Sequence, residues 1–387
     1  MTAIYIHIPF CRVHCPYSDY NTYVGMDSVI PNYISALQNE ASYYSIKEQD
    51  EITSIYIGGG TPSILSPDQL LSIFTSIEKN FNVSHVTEIT IEVNPGILNG
   101  DLLKSMHQLG INRISIGAQS TNNLELQALN CSYTKSMINK SVIDVMSSGI
   151  NNINIDLLYG IPHQSNKSWK KTIKDILLLD PTHISLNCLE LSKTSQMHSY
   201  LSKHNLTLPS DDANAAHYKS ASEQLNRSNF KQYAITLWHK DNKLTMSRHN
   251  LTYLKNTYHI GLGAGANSWY KSHRYYNINS PYSYIKSLES KIKYSSRQKN
   301  GTPASSNVIY VNKSTEMNET MIMGLRLVPS GIDIQEFQQR FNISPIAHYE
   351  KTLEKLDKQN LINITKTNIT LTNHGELLSN RVFSEFI

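Results

Sequence analysis

Cys11 and Cys15 stand four positions apart in the run IHIPFCRVHCPYSDY. Thiolates are soft ligands that suit iron–sulfur clusters or zinc. A pair is half a site, so spacing alone leaves two readings open: a metal site or two inert thiols. Gly58-Gly59-Gly60-Thr61-Pro62 forms a second group. A loop without Cβ atoms lets backbone approach a ligand closely, with a hydroxyl and free N–H groups, and it equally suits a plain tight turn. Glu92, Gln119 and Asp156 form a third group, each at or near the end of an apolar run. They could hold a ligand's polar groups or be satisfied by backbone. Cys11, Cys15, Cys131 and Cys188 are the four cysteines of 387 residues, too few for a disulfide framework. The expectation is a reduced, cytoplasmic protein with thiols available for metal. Fifteen His and 23 Tyr are spread along the chain, so no single His can be chosen as a ligand by spacing.

These groups need elements to position them. Residues 2–8, 52–57, 87–93, 112–117, 151–159 and 182–191 are rich in β-branched residues and read as six strands. Helical periodicity fills the gaps, at about 31–49, 66–80, 99–109, 134–148 and 165–179. Ser66-Pro67 is an N-cap with Pro at N1, and Gly149 is a plausible C′ residue. Strand–helix units at this spacing predict an α/β fold, a partial (β/α)6 barrel with right-handed crossovers. The polar and glycine-rich residues follow or end five of the six strands, where such barrels build their sites.

Further along, 211–228 reads as a helix and 230–237 as a strand. A Tyr-, Asn- and Gly-rich stretch covers 240–305, and 295–308 reads as a flexible linker or loop. Helices at about 316–328, 333–341 and 345–358, then alternating runs at 361–365 and 368–372, predict a small winged-helix-like α+β unit. The expected division is a barrel at 1–235, an intervening segment at 236–305 and a C-terminal domain at 306–387. Apolar residues make up 40% and charged residues 17%, an ordinary globular balance that excludes whole-chain disorder. No run approaches 18 apolar residues, and the N-terminus has no basic n-region or cleavage site, so neither a membrane helix nor a secretory signal is expected. The net charge of +4 dictates no polyanion partner, and residues 345–372 hold four Lys and no Arg, so nucleic acid is not expected.

The segment YIHIPFCRVHCPYSDYN resembles the opening of the radical S-adenosylmethionine (SAM) enzymes related to oxygen-independent coproporphyrinogen oxidase. That family shows Y-x-H-x-P-F-C-x3-C-x-Y-C. IYIGGGTPS, ITIEVNPG, GINRISIGAQS, INIDLLYGIP, RHNLTYLKN, GLGAGANSW, MIMGLRLVPSGI and ITLTNHGELLSN match in order along essentially the whole chain. Within that family the chain resembles the branch of the HemW-like heme chaperones. The oxidase itself carries an N-terminal extension and a further Cys after the motif, where this chain starts its first strand at residue 2 and has Tyr20. The resemblance implies a [4Fe–4S] cluster held by Cys11, Cys15 and the third position, residue 18. It implies SAM on the open iron, with Gly59, Gly60 and Thr61 at its methionine part. Glu92, Gln119 and Asp156 would hold its polar groups, Tyr17 would lie against its adenine, and Tyr5 would stand near the cluster.

Three departures stand out. The third ligand position is Ser18, a harder ligand that ionises less readily than a thiol. Ser18 ligates weakly, or the cluster is borrowed or incomplete, or radical chemistry has been lost. Cys131 stands where the family has an Arg for the SAM carboxylate, removing a contact of about 1.5–3 kcal/mol. RHNLTYL resembles the HNxxYW segment tied to heme binding, with His249 the implied iron ligand, Tyr253 a second candidate, and Leu254 in place of Trp. The implied function is a heme chaperone that binds heme and transfers it to an acceptor protein, using a radical-SAM-type [4Fe–4S] and SAM site, whether working or degenerate. The rivals are an oxidase-type radical SAM oxidoreductase, against which Ser18 and Cys131 argue, and a non-catalytic heme-binding scaffold. Implied partners are heme, an acceptor, a flavodoxin-type electron donor if the chain is active, a second copy in a homodimer, and a membrane surface touched peripherally on delivery.

Overall fold

The computed structural model describes residues 2–17, 20–45, 50–191, 196–240, 245–289 and 301–387. Six parallel strands lie side by side in chain order: β1 (Thr2–Ile8), β2 (Ile52–Gly59), β3 (Glu88–Val93), β4 (Arg113–Gln119), β5 (Asn152–Tyr159) and β6 (His183–Cys188). Helices cross between them: α1 (Ile30–Ser45), α2 (Pro67–Asn80), α3 (Gly100–Gln108), the pair α4 (Asn123–Ala128) and α5 (Lys135–Ser147), and α6 (Asn166–Leu177). This is the expected partial (β/α)6 barrel. The local signals act as read. Ser66 closes a capping box with Gln69 ahead of α2, and Gly149, at φ 90°, ends α5.

Alternation along these strands explains the curvature into a barrel rather than a flat doubly wound sheet. Ile4, Ile6, Ile55, Ile57, Ile91, Ile114, Ile116, Ile153, Ile155 and Ile184 point to the helices and join one core with Leu70, Met106, Val142 and Trp169. Their alternates Ser54, Tyr56, Glu88, Glu92, Arg113, Ser115, Asn154, Asp156 and His183 are polar and face the lumen. A parallel sheet buried on both faces would read as continuous apolar runs. Lumen polar groups satisfy one another. Asn154 donates to Ser115 Oγ at 2.7 Å, Ser115 Oγ donates to Asp156 at 2.7 Å, and His183 bridges Asn154 Oδ1 (2.6 Å) and Tyr233 OH (2.7 Å).

The sheet continues past both ends of the six-strand set. After α7 (Gln196–His204) and α8 (Asp211–Arg227), β7 (Phe230–Ala234) and β8 (Leu237–Lys240) form a hairpin, with β8 antiparallel to β6. The single strand expected at 230–237 is thus two. After α9 (Arg248–Leu254), β9 (His259–Leu262) pairs parallel with β1. The antiparallel β10 (Asn267–Tyr270), β11 (His273–Asn277) and β12 (Ser305–Tyr310) complete twelve strands, with α10 (Pro281–Glu289) packed on α1. The stretch set apart as 236–305 is therefore continuous with the sheet. The loop expected at 295–308 is corrected in part: 305–310 is an edge strand, and 290–300 lies outside the described residues. The end of the first helix, at 46–49, also lies outside them.

Glu40 on α1 fastens this extension. It is 0% exposed and accepts from Gly263 N (2.8 Å), Asn277 Nδ2 (2.7 Å), Tyr284 OH (2.6 Å) and Thr302 Oγ1 (3.0 Å).

The C-terminal unit has its own core around Met321, Phe337, Leu353, Leu356 and Ile369. It comprises α11 (Lys313–Gly324), β13 (Ile332–Asp333), α12 (Ile334–Phe341), α13 (Pro345–His348), α14 (Glu350–Lys358), β14 (Ile362–Ile364), β15 (Asn368–Leu371), α15 (Asn373–Leu377) and α16 (Ser379–Phe383). One helix was expected over 345–358. Tyr349, at φ −107°, divides it into two. The ribbon gains a third strand, in the order β13-β15-β14.

Candidate functional site

The Cys loop leaves the C-terminal end of β1. Phe10 and Cys11 pair in parallel with Tyr23 and Val24, so the chain returns on itself and closes the loop at its base. Asn21 pins the returning strand. Its carbonyl meets His7 Nε2 at 2.9 Å, and its side chain donates to the carbonyls of Ala264 (3.1 Å) and Asn279 (2.9 Å). Cys11 and Cys15 are half-buried free thiols, and burial raises the pKa of both. Ser18 lies outside the described residues.

The glycine loop abuts this one. Gly60 N donates to Ile8 O (2.8 Å) and Thr61 N to Phe10 O (2.9 Å). A Cβ on Gly60 would stand 2.6 Å from Phe10 O and 2.8 Å from Cys11 Sγ, so only glycine fits. Gly59, at φ 114°, makes room for the His7 ring, 2.6 Å from where its Cβ would be, and donates its N–H to Glu92 Oε2 at 3.0 Å. The N–H groups of Gly59, Gly60 and Thr61, expected to be free, are therefore engaged within the fold, and the glycines serve close packing. Thr61 donates its hydroxyl to Cys11 Sγ (3.7 Å) and accepts from Asn94 Nδ2 (2.9 Å). Asn94 was not read from the sequence.

Glu92 and Asp156 act on each other electrostatically in the lumen, and Gln119 ends β4. Tyr56 OH donates to Glu92 Oε1 at 2.7 Å. Burial pushes the Glu92 carboxyl up to about 7, against the Tyr56 hydrogen bond, with Asp156 adding to the rise and Arg113 opposing it. Asp156 accepts from Ser115 and Asn154. Gln119 sits at a bulge in the β4–β5 register with φ 60°. Left-handed backbone at a non-glycine residue is uncommon, and bulges re-aim side chains beside sites. Arg113, 1% exposed beneath them, is a buried lumen cation that no sequence signal singled out.

Tyr17 lies beside the thiols of Cys15 and Cys131 and packs with Leu129, Leu158 and Ile161. Burial pushes the Cys131 thiol up to about 12. No cation occupies position 131.

A second cluster lies deeper in the lumen. Tyr5 OH meets His7 Nδ1 at 3.0 Å, and the Tyr5 ring stacks on Tyr56 at 6.1 Å. His249 is 1% exposed, with Nδ1 on Ser54 Oγ (3.1 Å) and Nε2 on Tyr253 OH (3.1 Å). Burial pushes it down to about 3. As folded, the implied iron ligand has both ring nitrogens engaged and does not line the adjoining cavity. Tyr253 and His259 do. That cavity, of about 470 Å³, opens between β1, β9 and β11 and the Met323 side chain of α11.

Comparison with known proteins comes from three directions. Residues 5–176 match the radical SAM superfamily and residues 311–378 match the HemN C-terminal domain. A heme chaperone HemW of Lactococcus lactis is 30% identical over 100% of this chain and 97% of that protein. A heme chaperone HemW of Bacillus subtilis is 29% identical over 100% and 99%. The solved coproporphyrinogen III oxidase (HemN) of Escherichia coli, a radical SAM enzyme, superposes with a TM-score of 0.83 at 21% identity, over 100% of this chain and 89% of that one. That last likeness is one of fold.

Proposed function

Because this chain belongs to the HemW family, within the radical SAM superfamily, we propose that it binds heme and hands it to an acceptor protein. The observation that carries the reading is the imidazole- and phenol-lined cavity in the barrel beside the Cys loop, of about 470 Å³. Sites for flat organic ligands are concave, mostly aromatic and apolar, with a few placed polar groups, in a range of roughly 300–1,000 Å³.

The superfamily implies a [4Fe–4S] cluster and SAM. Cys11 and Cys15 bring two thiols, and among the described residues no group of three or more His, Cys, Asp or Glu could hold a metal ion. The described donors do not fit a three-thiolate cluster, and carrying heme needs no radical step. For SAM we propose the Gly59–Thr61 loop with Glu92, Gln119 and Asp156 as the polar holders, in the absence of the Arg that Cys131 replaces. Four free thiols accord with a reducing compartment, which we take as the cytoplasm. No described helix is long and apolar enough to cross a membrane.

Two measurements on the anaerobic full-length chain test the proposal: ferric hemin titration read at the Soret band, and deoxyadenosine release from SAM under reducing conditions. Saturable hemin binding without deoxyadenosine supports a carrier. Deoxyadenosine formed alongside porphyrinogen turnover would replace it with an oxidase-type enzyme.

A further inference from the structure

His259 is the first residue of β9, the strand that joins the antiparallel extension to β1. Its ring forms an edge contact with Tyr253 at 4.7 Å between centroids. Nδ1 is enclosed without a well-formed hydrogen bond, the Thr257 backbone being the polar group beside the ring, and among the described residues no side chain pairs with Nε2. Buried side-chain nitrogens are nearly always paired, so an imidazole left this way on a cavity wall calls for an explanation. Every other imidazole of the lumen is engaged. His7 bridges Tyr5 and Asn21, His183 bridges Asn154 and Tyr233, and His249 bridges Ser54 and Tyr253.

Resting on the reading of the chain as a heme carrier, we propose that His259, rather than His249, is the protein ligand to heme iron, in the cavity walled by Tyr5, His7, Tyr253, Arg274 and Met323. The chemistry agrees on three counts. Iron needs a neutral imidazole with a free lone pair, and burial, helped by the Arg274 charge, lowers His259 to about 4. The Thr257 backbone beside the ring is placed to hold the second ring nitrogen's proton, the arrangement that orients ligating histidines. The flanking phenol rings and the Met323 thioether offer a flat macrocycle apolar surface. His249 acts one step behind, fixing the Tyr253 hydroxyl on the cavity wall.

The test is ferric hemin titration of the anaerobic full-length chain and of His259→Ala and His249→Ala, followed by absorption and electron paramagnetic resonance. In the unmodified chain we expect a histidine-ligated spectrum. His259→Ala should lose it and bind at least about tenfold more weakly, and added imidazole should restore the spectrum. A variant that had merely unfolded would not be rescued. His249→Ala, which frees Tyr253 on the cavity wall, should bind hemin more weakly yet keep the histidine-ligated spectrum. If His259→Ala keeps the native spectrum and affinity, or His249→Ala is the variant that imidazole rescues, the assignment is overturned while the carrier reading stands. If the unmodified chain binds no hemin, the carrier reading falls and the assignment with it.

Discussion

At residue 18 a hydroxyl stands where a third thiol would complete the Cys loop's donor set. Ser18→Cys should raise iron and acid-labile sulfide after anaerobic reconstitution to about four of each per chain, well above the unmodified protein. Equal, near-full loading of both chains would mean that another group supplies the third ligand. Gly60 answers to sterics instead. Gly60→Ala places a Cβ against Phe10 O and Cys11 Sγ, and we expect a loss of about 1–3 kcal/mol with faster alkylation of Cys11 as its loop lifts. His259 brings a pH signature. Its folded pKa of about 4 lies below the usual 6.5, so the unfolded chain takes up a proton that the fold refuses. The stability it contributes is complete above pH 6.5 and is lost as the pH falls toward 4. Glu40 and Glu92, raised to about 7, work in the opposite direction, so the measurement is a difference. On acidification from pH 7.5 to 5 the melting temperature of the unmodified chain should fall further than that of His259→Leu. Parallel curves would contradict the assignment of a neutral imidazole. The Cys pair, the glycine loop and the three lumen carboxylate and amide residues were all legible as residue types at spacings. The unpaired state of His259 was not, because it depends on which neighbours surround a ring, and fifteen histidines look alike in one dimension.

Among the elements, α9 carries the His249 motif, yet it has only seven residues and little helix of its own to hold it. Glu88, at the start of β3, secures it from across the lumen. Its carboxylate accepts from Ser247 Oγ (3.1 Å), Arg248 N (2.8 Å) and His249 N (3.0 Å). An acid at a helix N-terminus satisfies amides that lack partners within the helix. Glu88→Ala should cost about 1–3 kcal/mol and speed amide exchange at Arg248 and His249. Unchanged exchange would leave Ser247 as a sufficient cap. The six parallel strands and their helices were legible because alternation, caps and Gly149 all point one way. β9 to β12 were not, being four to six residues long, with β10 to β12 rich in Tyr, Asn and Ser, and with pairing partners set by the barrel edge rather than by their own pattern. The break at Tyr349 was hidden for a related reason, since Leu353 and Leu356 continue the helical period beyond it.

At the scale of the whole molecule, the C-terminal unit is held against the barrel by backbone pairing of Ala234 and Ile235 with Leu327 and Arg326 and by a set of side-chain contacts. Arg274 of β11 makes a two-pronged pair with Glu319 of α11 at 2.6 and 2.9 Å, partly shielded from solvent. Arg340 donates to the carbonyls of Lys255 (3.1 Å) and Asn256 (2.7 Å). Two-pronged guanidinium–carboxylate pairs resist the averaging that weakens surface pairs. Arg274→Ala should therefore loosen the wall of the His259 cavity, with proteolysis between the barrel and α11 as the readout. An unchanged digestion pattern would show that the remaining contacts suffice without this pair. The fastening at Glu40 has a consequence in time. Its donors stand 223 to 262 positions downstream. At roughly 5–20 residues per second on the ribosome, the carboxylate waits about 10 to 50 seconds for them. Through that interval the outer edge of β1 has no partner, so any nascent chain cut short before β9 emerges with β1 as an open strand, a form for quality control to recognise and clear.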